Sequence, residues 1–135
     1  MSWLVDTNVI SELSRRAPDP KVHQWLVDRE DELFLSVLTI GELEKGLMQA
    51  PDPTRRARLE RWLQREVLPW FEGKILPVDQ AVAIRWGKLV ASLKDPLPAI
   101  DALIAATALS HQLTVATRNT SDLARTGVDL VNPWQ

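Results

Sequence analysis

The chain has 135 residues, 45% of them hydrophobic and 25% charged, with a formal net charge of −2. That length and balance suit one globular domain, spanning 1–135, and exclude a disordered chain or one that coats nucleic acid through bulk positive charge. Cysteine is absent, which removes disulfide scaffolds, thiolate zinc sites, iron–sulfur clusters and thiol catalysis. No segment approaches the roughly 20 apolar residues of a membrane span, and the first residues lack a signal-peptide pattern, so a soluble cytoplasmic protein is expected.

Trp3-Leu4-Val5 reads as a short buried strand, and Asp6-Thr7-Asn8 then offers capping side chains for a helix from Val9 to Arg16. Pro18 and Pro20 end that helix, and a second is predicted from about Lys21 to Glu30 with Val22, Trp25 and Leu26 on one face. Leu33 to Val37 is a continuous apolar run of the kind found in buried parallel strands. Thr39-Ile40-Gly41-Glu42 opens the next helix, with Thr39 and Glu42 spaced as a capping box. After Pro51 and Pro53 comes a basic helix from about Thr54 to Phe71, carrying Arg55, Arg56, Arg58, Arg61 and Arg65. This stripe reads either as a phosphate-facing surface or as a solvated face laced with i,i+4 pairs.

A third strand is predicted over Ile75–Val78, and Asp79 caps a helix running to about Leu93. The small, apolar segment from Ala99 to Leu109 forms a closely packed helix, Leu113–Thr117 a fourth strand, Ser121–Arg125 a helical turn and Val128–Val131 a last strand. Alternation of strands and helices in this order predicts a three-layer α/β/α sandwich around a central, mostly parallel sheet.

In such a sheet the carboxyl ends of the strands share one edge, where side chains far apart in sequence meet. Asp6, Glu42 and Asp122 each follow a different predicted strand, and Asp101 lies in the first turn of an apolar helix. Each has a structural explanation of its own, since acids stabilise helix N-termini. Asp79 is read as an N-cap alone. Convergence of the other four on one edge is what capping does not require, and clustered carboxylates call for a hard, oxygen-ligated divalent cation such as Mg²⁺ or Mn²⁺.

Four blocks in this order and spacing, Leu4–Glu12, Ser36–Leu43, Asp101–Ala108 and Val115–Asn119, together with the closing VDLVNPW, resemble the PIN-domain nucleases, and among them the VapC-type toxins of prokaryotic toxin–antitoxin pairs. The resemblance implies a metal-dependent endoribonuclease, with Asp6, Glu42 and Asp101 binding one or two Mg²⁺ or Mn²⁺ ions. It also implies that Thr7 and Asn8 support Asp6, and that Thr117 and Asn119 line the pocket. Either Asn119 or Asp122 serves as the fourth site residue. The implied partners are the RNA substrate, a second copy of the chain, and a cognate antitoxin that sends an Arg or Lys into the acidic pocket.

Arg15, Arg85 and Arg118, with Arg16 and Lys45, are candidates to hold the RNA backbone. His23 and His111 lie outside the acidic blocks, so no histidine pair is expected to activate the RNA 2′-hydroxyl. Of the six tryptophans, most are expected in the core and one or two at an interface. Two other readings stand beside the nuclease. A phospho-acceptor domain fits poorly, because Asp6-Thr7-Asn8 lacks a second aspartate and Thr117-Arg118 stands where a receiver lysine is expected. A non-catalytic module would use the same crevice only to bind RNA or protein.

Overall fold

The structure is a computed structural model that describes residues 1–135. Its elements in chain order are β1 (Trp3–Val5), α1 (Thr7–Glu12), α2 (Pro20–Asp28), β2 (Leu33–Ser36), α3 (Val37–Met48), α4 (Pro53–Trp62), α5 (Leu68–Trp70), β3 (Ile75–Leu76), α6 (Gln80–Ser92), α7 (Ala99–His111), β4 (Thr114–Ala116), α8 (Thr120–Ala124) and β5 (Leu130–Val131). The sheet order is β3-β2-β1-β4-β5, and every pairing is parallel. The chain steps outward from β1 to β2 and β3, then crosses back to β4 and β5 on the other side. That reversal leaves a crevice beside the carboxyl end of β1, where open α/β sheets place their sites.

The period-two alternation of a strand divides the core. Val5 points into a cluster with Val9 and Ile10 of α1, Val22 and Leu26 of α2, Leu43 and Leu47 of α3, and Leu63, Val67 and Phe71. Leu4 points to the opposite face, among Leu89 of α6, Ile104, Ala105 and Ala108 of α7, and Leu123 of α8. The three layers expected from sequence follow directly. Alanines on the buried side of α7 let it lie against both the sheet and α6.

The observed elements depart from the expected ones in several places: α1 spans Thr7–Glu12 rather than Val9–Arg16, β3 spans only Ile75–Leu76, and the others have identifiable reasons. Ser36 ends β2 and caps α3 at once, its Oγ accepting from the Leu38 N–H at 3.0 Å. The helix therefore begins at Val37, and Thr39 and Glu42 lie within it rather than forming a capping box. The long basic helix is not uniformly α: between α4 and α5 the residues Leu63–Val67 form a π-helical turn. Leu63, Val67 and Phe71 all face the core across it, with at most 2% exposure. No ion pair laces the basic stripe, because the chain's one salt bridge joins Arg15 to Glu12. Arg56 instead donates to the Ala50 carbonyl, and Arg58 to that of Ser14.

Asp79 caps α6 as the sequence suggests, accepting from the Val82 N–H at 2.9 Å. None of the six tryptophans is fully buried and none is fully exposed. All but Trp86 instead cover the margin of one core cluster.

α7 ends on Gln112 in the left-handed conformation, with φ 56° and ψ 44°, a cap position that glycine occupies without steric cost. Replacing Gln112 by Gly should raise stability by about 0.5–1 kcal/mol, the left-handed penalty of a side-chain-bearing residue less the added freedom of the unfolded chain. Urea denaturation reads this directly; an unchanged or lower midpoint would contradict it.

Candidate active site

Asp6 follows the central strand and is only 7% exposed. Its main-chain N–H continues the sheet by donating to the Ala116 carbonyl at 2.9 Å, which sets its side chain beside Thr117 at the end of β4. One carboxylate oxygen, Oδ1, accepts from the Thr7 N–H at 2.8 Å and caps α1. The other, Oδ2, accepts the Thr117 hydroxyl at 2.8 Å and lies 3.4 Å from the Asn8 amide nitrogen. The Asn8 amide also reaches Thr117 Oγ1 at 3.2 Å, while its oxygen accepts from the Arg118 N–H at 3.2 Å. Thr117 Oγ1 in turn accepts from the Asn119 N–H at 3.0 Å. A closed polar network thus ties the end of β1 to the loop after β4.

Glu42 projects from α3 on the other side of Asp6. The Thr7 hydroxyl donates to Glu42 Oε1 and lies 3.3 Å from Thr39 Oγ1. Thr7 therefore spans the two carboxylates, its N–H serving Asp6 and its hydroxyl Glu42. Asp101 stands in the first turn of α7, whose N-cap, Pro98, supplies no capping side chain. The dipole of α7 favours an anion there.

Burial raises the Asp101 carboxyl above its ordinary pKa, and the like charges of Asp6, Glu42 and Asp122 push it further. Burial likewise raises Asp6; the hydrogen bonds from Thr117 and Thr7 counter part of this, and Glu42 adds to the rise. The four acids thus share one electrostatic neighbourhood. Asp122 is exposed in the first turn of α8, and Asn119 is half-buried beside Thr117.

The remaining sequence candidates divide. Arg15 and Arg118 line a cleft that also includes Asn8 and Glu42. Arg85 lines a different hollow with Lys88, Leu89 and Ser110. His23 and His111 are both exposed, His111 as the last residue of α7.

Glu12 has no role in the sequence reading, yet it is a carboxylate only 4% exposed at the end of α1. Burial works to raise its pKa, but the Asp19 N–H at 2.8 Å and the Arg15 guanidinium at 3.1 Å outweigh that and hold it below the usual range. Its signal in the sequence is an acid placed among Val9, Ile10 and Leu13 on a core-facing helix, three residues before an arginine.

The donors at the crevice are hard oxygens, four carboxylates with the Asn119 amide and the Thr117 hydroxyl beside them. No three acidic or histidine side chains close into a ready cage of direct ligands. The set suits a small hydrated cation that takes one or two carboxylates directly and keeps its other ligands as water.

The chain and its fold have counterparts among known proteins. The family described as PIN domain matches residues 3–128. The chain is 40% identical to "VapC ribonuclease Y4jK" of Sinorhizobium fredii, over 98% of this chain and 97% of the relative. Among solved structures, FitAcB from Neisseria gonorrhoeae superposes with a TM-score of 0.92 at 37% identity, covering 98% of this chain and 99% of that one. A toxin–antitoxin complex from Klebsiella pneumoniae gives 0.75 at 31% identity, covering 99% of each chain.

The raised carboxyls imply a pH dependence. In the native state Asp101 holds its proton to higher pH than the unfolded chain does, near its ordinary 3.8. Between those two values the native state binds more protons, so stability falls as pH rises and stays reduced at neutrality. Asp101→Asn should therefore be more stable than the parent at neutral pH in chelator, and the difference should vanish below the ordinary carboxyl range. Thermal melts across pH test this; a variant less stable at pH 7 would contradict it.

Proposed function

The chain belongs to the PIN-domain family, and from that premise we propose that it is the endoribonuclease toxin of a toxin–antitoxin pair, cleaving RNA with the help of a Mg²⁺ or Mn²⁺ ion held at the carboxylate crevice. The observation that carries the reading is the meeting of Asp6, Glu42, Asp101 and Asp122 in one field, with each anion raising Asp101. A fold that needed these acids only as helix caps would have no reason to gather them.

Asp6, Glu42 and Asp101 would hold the ion directly or through water, with Asn119 or Asp122 completing the set. When bound, such an ion supplies Lewis acidity: it lowers the pKa of a water and neutralises charge developing on the phosphate. The chain's own residues do the rest. Thr117, Asn8 and the Thr7 N–H fix both oxygens of Asp6, so its lone pairs need no reorganisation when substrate arrives. The Thr7 hydroxyl fixes Glu42 in the same way. A carboxylate left off the ion accepts the proton of the attacking water. The water oxygen bonds to phosphorus, one P–O ester bond breaks, the proton taken by the carboxylate passes to the departing oxygen, and the products are a phosphate monoester end and a free hydroxyl.

The relatives support the partners as well. A crevice of unbalanced negative charge accepts an antitoxin's guanidinium or ammonium as readily as a cation, which gives inhibition without a change of fold. Val37, Ile84 and Ile100 are large apolar residues at 45%, 51% and 36% exposure, and they support association with a second copy. No helix is long and apolar enough to cross a membrane.

Inducing the protein alone should arrest growth and create discrete new RNA 5′ ends. Asp6→Asn and Asp101→Asn should each lower cleavage by about 10²-fold or more, since each removes a charge at the reacting centre. Chelator should stop cleavage by the purified protein and added Mn²⁺ should restore it. Equal behaviour of wild type and both variants, all folded, would favour a binding module instead.

A further inference from the structure

Beside the acidic crevice lies a cleft of about 400 Å³, within the size range of small-ligand pockets. Asn8 and Glu42 belong to both, so the cleft opens onto the carboxylates. Arg15, Arg55 and Arg118 stand around it, and Leu43, Leu59 and Trp62 supply its apolar wall. In a chain with a net charge of −2, three guanidiniums against the two carboxylates of Glu12 and Glu42 leave this cleft with a small excess of positive charge.

The three arginines are not equivalent. Arg15 is engaged by buried Glu12. Arg118 has no hydrogen-bond or ion-pair partner for its guanidinium, but its charged carbon lies 4.2 Å from the centre of the Trp134 ring. Trp134 is itself set by a turn in which its N–H donates to Asn132 Oδ1 at 2.9 Å. Stacking holds a guanidinium plane while leaving its N–H edges available for oxygen acceptors. The Arg118 backbone is fixed too, since its N–H bonds Asn8 of the site network. Arg118 is thus a pre-positioned phosphate donor next to the acids.

We propose that this cleft seats one nucleotide of single-stranded RNA adjoining the scissile phosphate, with Arg118 on its phosphate and its base against the Trp62 side. The inference rests on the nuclease reading and names the substrate contact of that site. A polyanion drawn across four carboxylates needs compensating cations close by, and these arginines supply them. A basic peptide meets the opposite field at the same place. A single-stranded base, unlike one within a duplex, is free to enter and stack on an aromatic wall.

Gly46 offers an independent handle. It lies in the interior of α3, lines the cleft, and a Cβ built on it meets nothing within 4 Å. Gly46→Leu should fill the cleft while improving helix propensity, so loss of binding would not report misfolding.

The experiment measures binding of a fluorescein-labelled pool of short single-stranded RNA of random sequence. It uses full-length Asp101→Asn protein, alone and combined with Arg118→Ala, Arg118→Lys or Gly46→Leu, with melts as a fold check and wild-type cleavage measured in parallel. Arg118→Ala and Gly46→Leu should each weaken binding by about tenfold or more, as expected for loss of a charge-assisted contact or of the seat. Arg118→Ala should also reduce the salt slope by about 0.7, the share of one single-strand phosphate. Arg118→Lys should recover the slope but not the full affinity.

Unchanged binding in both Arg118→Ala and Gly46→Leu overturns the proposal and leaves the nuclease reading intact. Gly46→Leu that keeps RNA but loses affinity for the antitoxin overturns it in favour of a peptide seat. If wild type cleaves no RNA while Arg118→Ala and Gly46→Leu still weaken binding, the nuclease reading fails and the cleft assignment stands. Absence of RNA binding by the Asp101→Asn parent overturns the cleft assignment, and the nuclease reading falls with it only if wild type also cleaves no RNA.

Discussion

Asp6 is a nearly buried carboxylate at the end of the central strand, and its hydrogen-bond donors come from Thr7 and Asn8 beside it in the chain and from Thr117 of the neighbouring strand. An ionised group in that position is tolerable only when its oxygens are met. The parallel pairing of β1 with β4, which aligns Val5 with Ala116, is what brings Thr117 to it. Both halves of the core pack against this same strand, Val5 on one side and Leu4 on the other. The site and the core are therefore one construction: loss of the β1–β4 register would unmake both.

Much of this is legible in the sequence. Short apolar runs mark β1, β2 and β4, the prolines mark the breaks between helices, and the rule that parallel strands share one carboxyl edge gathers Asp6, Glu42 and Asp122 from the chain alone. What escaped follows from competition between local signals. Val37 and Leu38 prolong the apolar run of β2, so the strand reads as longer than it is and Ser36 is overlooked as a cap; Thr39 and Glu42 then imitate a capping box inside the helix. The π-helical turn at Leu63–Val67 has no signature of its own, because it answers the need to keep Leu63, Val67 and Phe71 on the core. Glu12 escaped because a buried acid is read from the chain as an exposed one until its partners, Arg15 and the Asp19 N–H, are placed.

The acidic crevice and the arginine cleft are two opposite fields with a shared wall at Asn8 and Glu42. The first holds its carboxylates at some cost, since Asp101 is opposed by three like charges. The second holds Arg118 without a direct ion pair, steadied by an aromatic face and by the more distant charge of Glu12. Both are sites where local stability is held below what the scaffold could reach, and in folded proteins that is where chemistry tends to be done.

The hydrogen bond between Thr117 and Asp6 joins residues 111 positions apart. During synthesis the first strand, and the aspartate after it, leave the ribosome long before the partner that completes them, at a pace of about 5–20 residues per second. The nascent chain therefore carries its acids for several seconds without the network that orients them. A nuclease that joins its centre from the ends of its first and fourth strands is inert until β4 has been made.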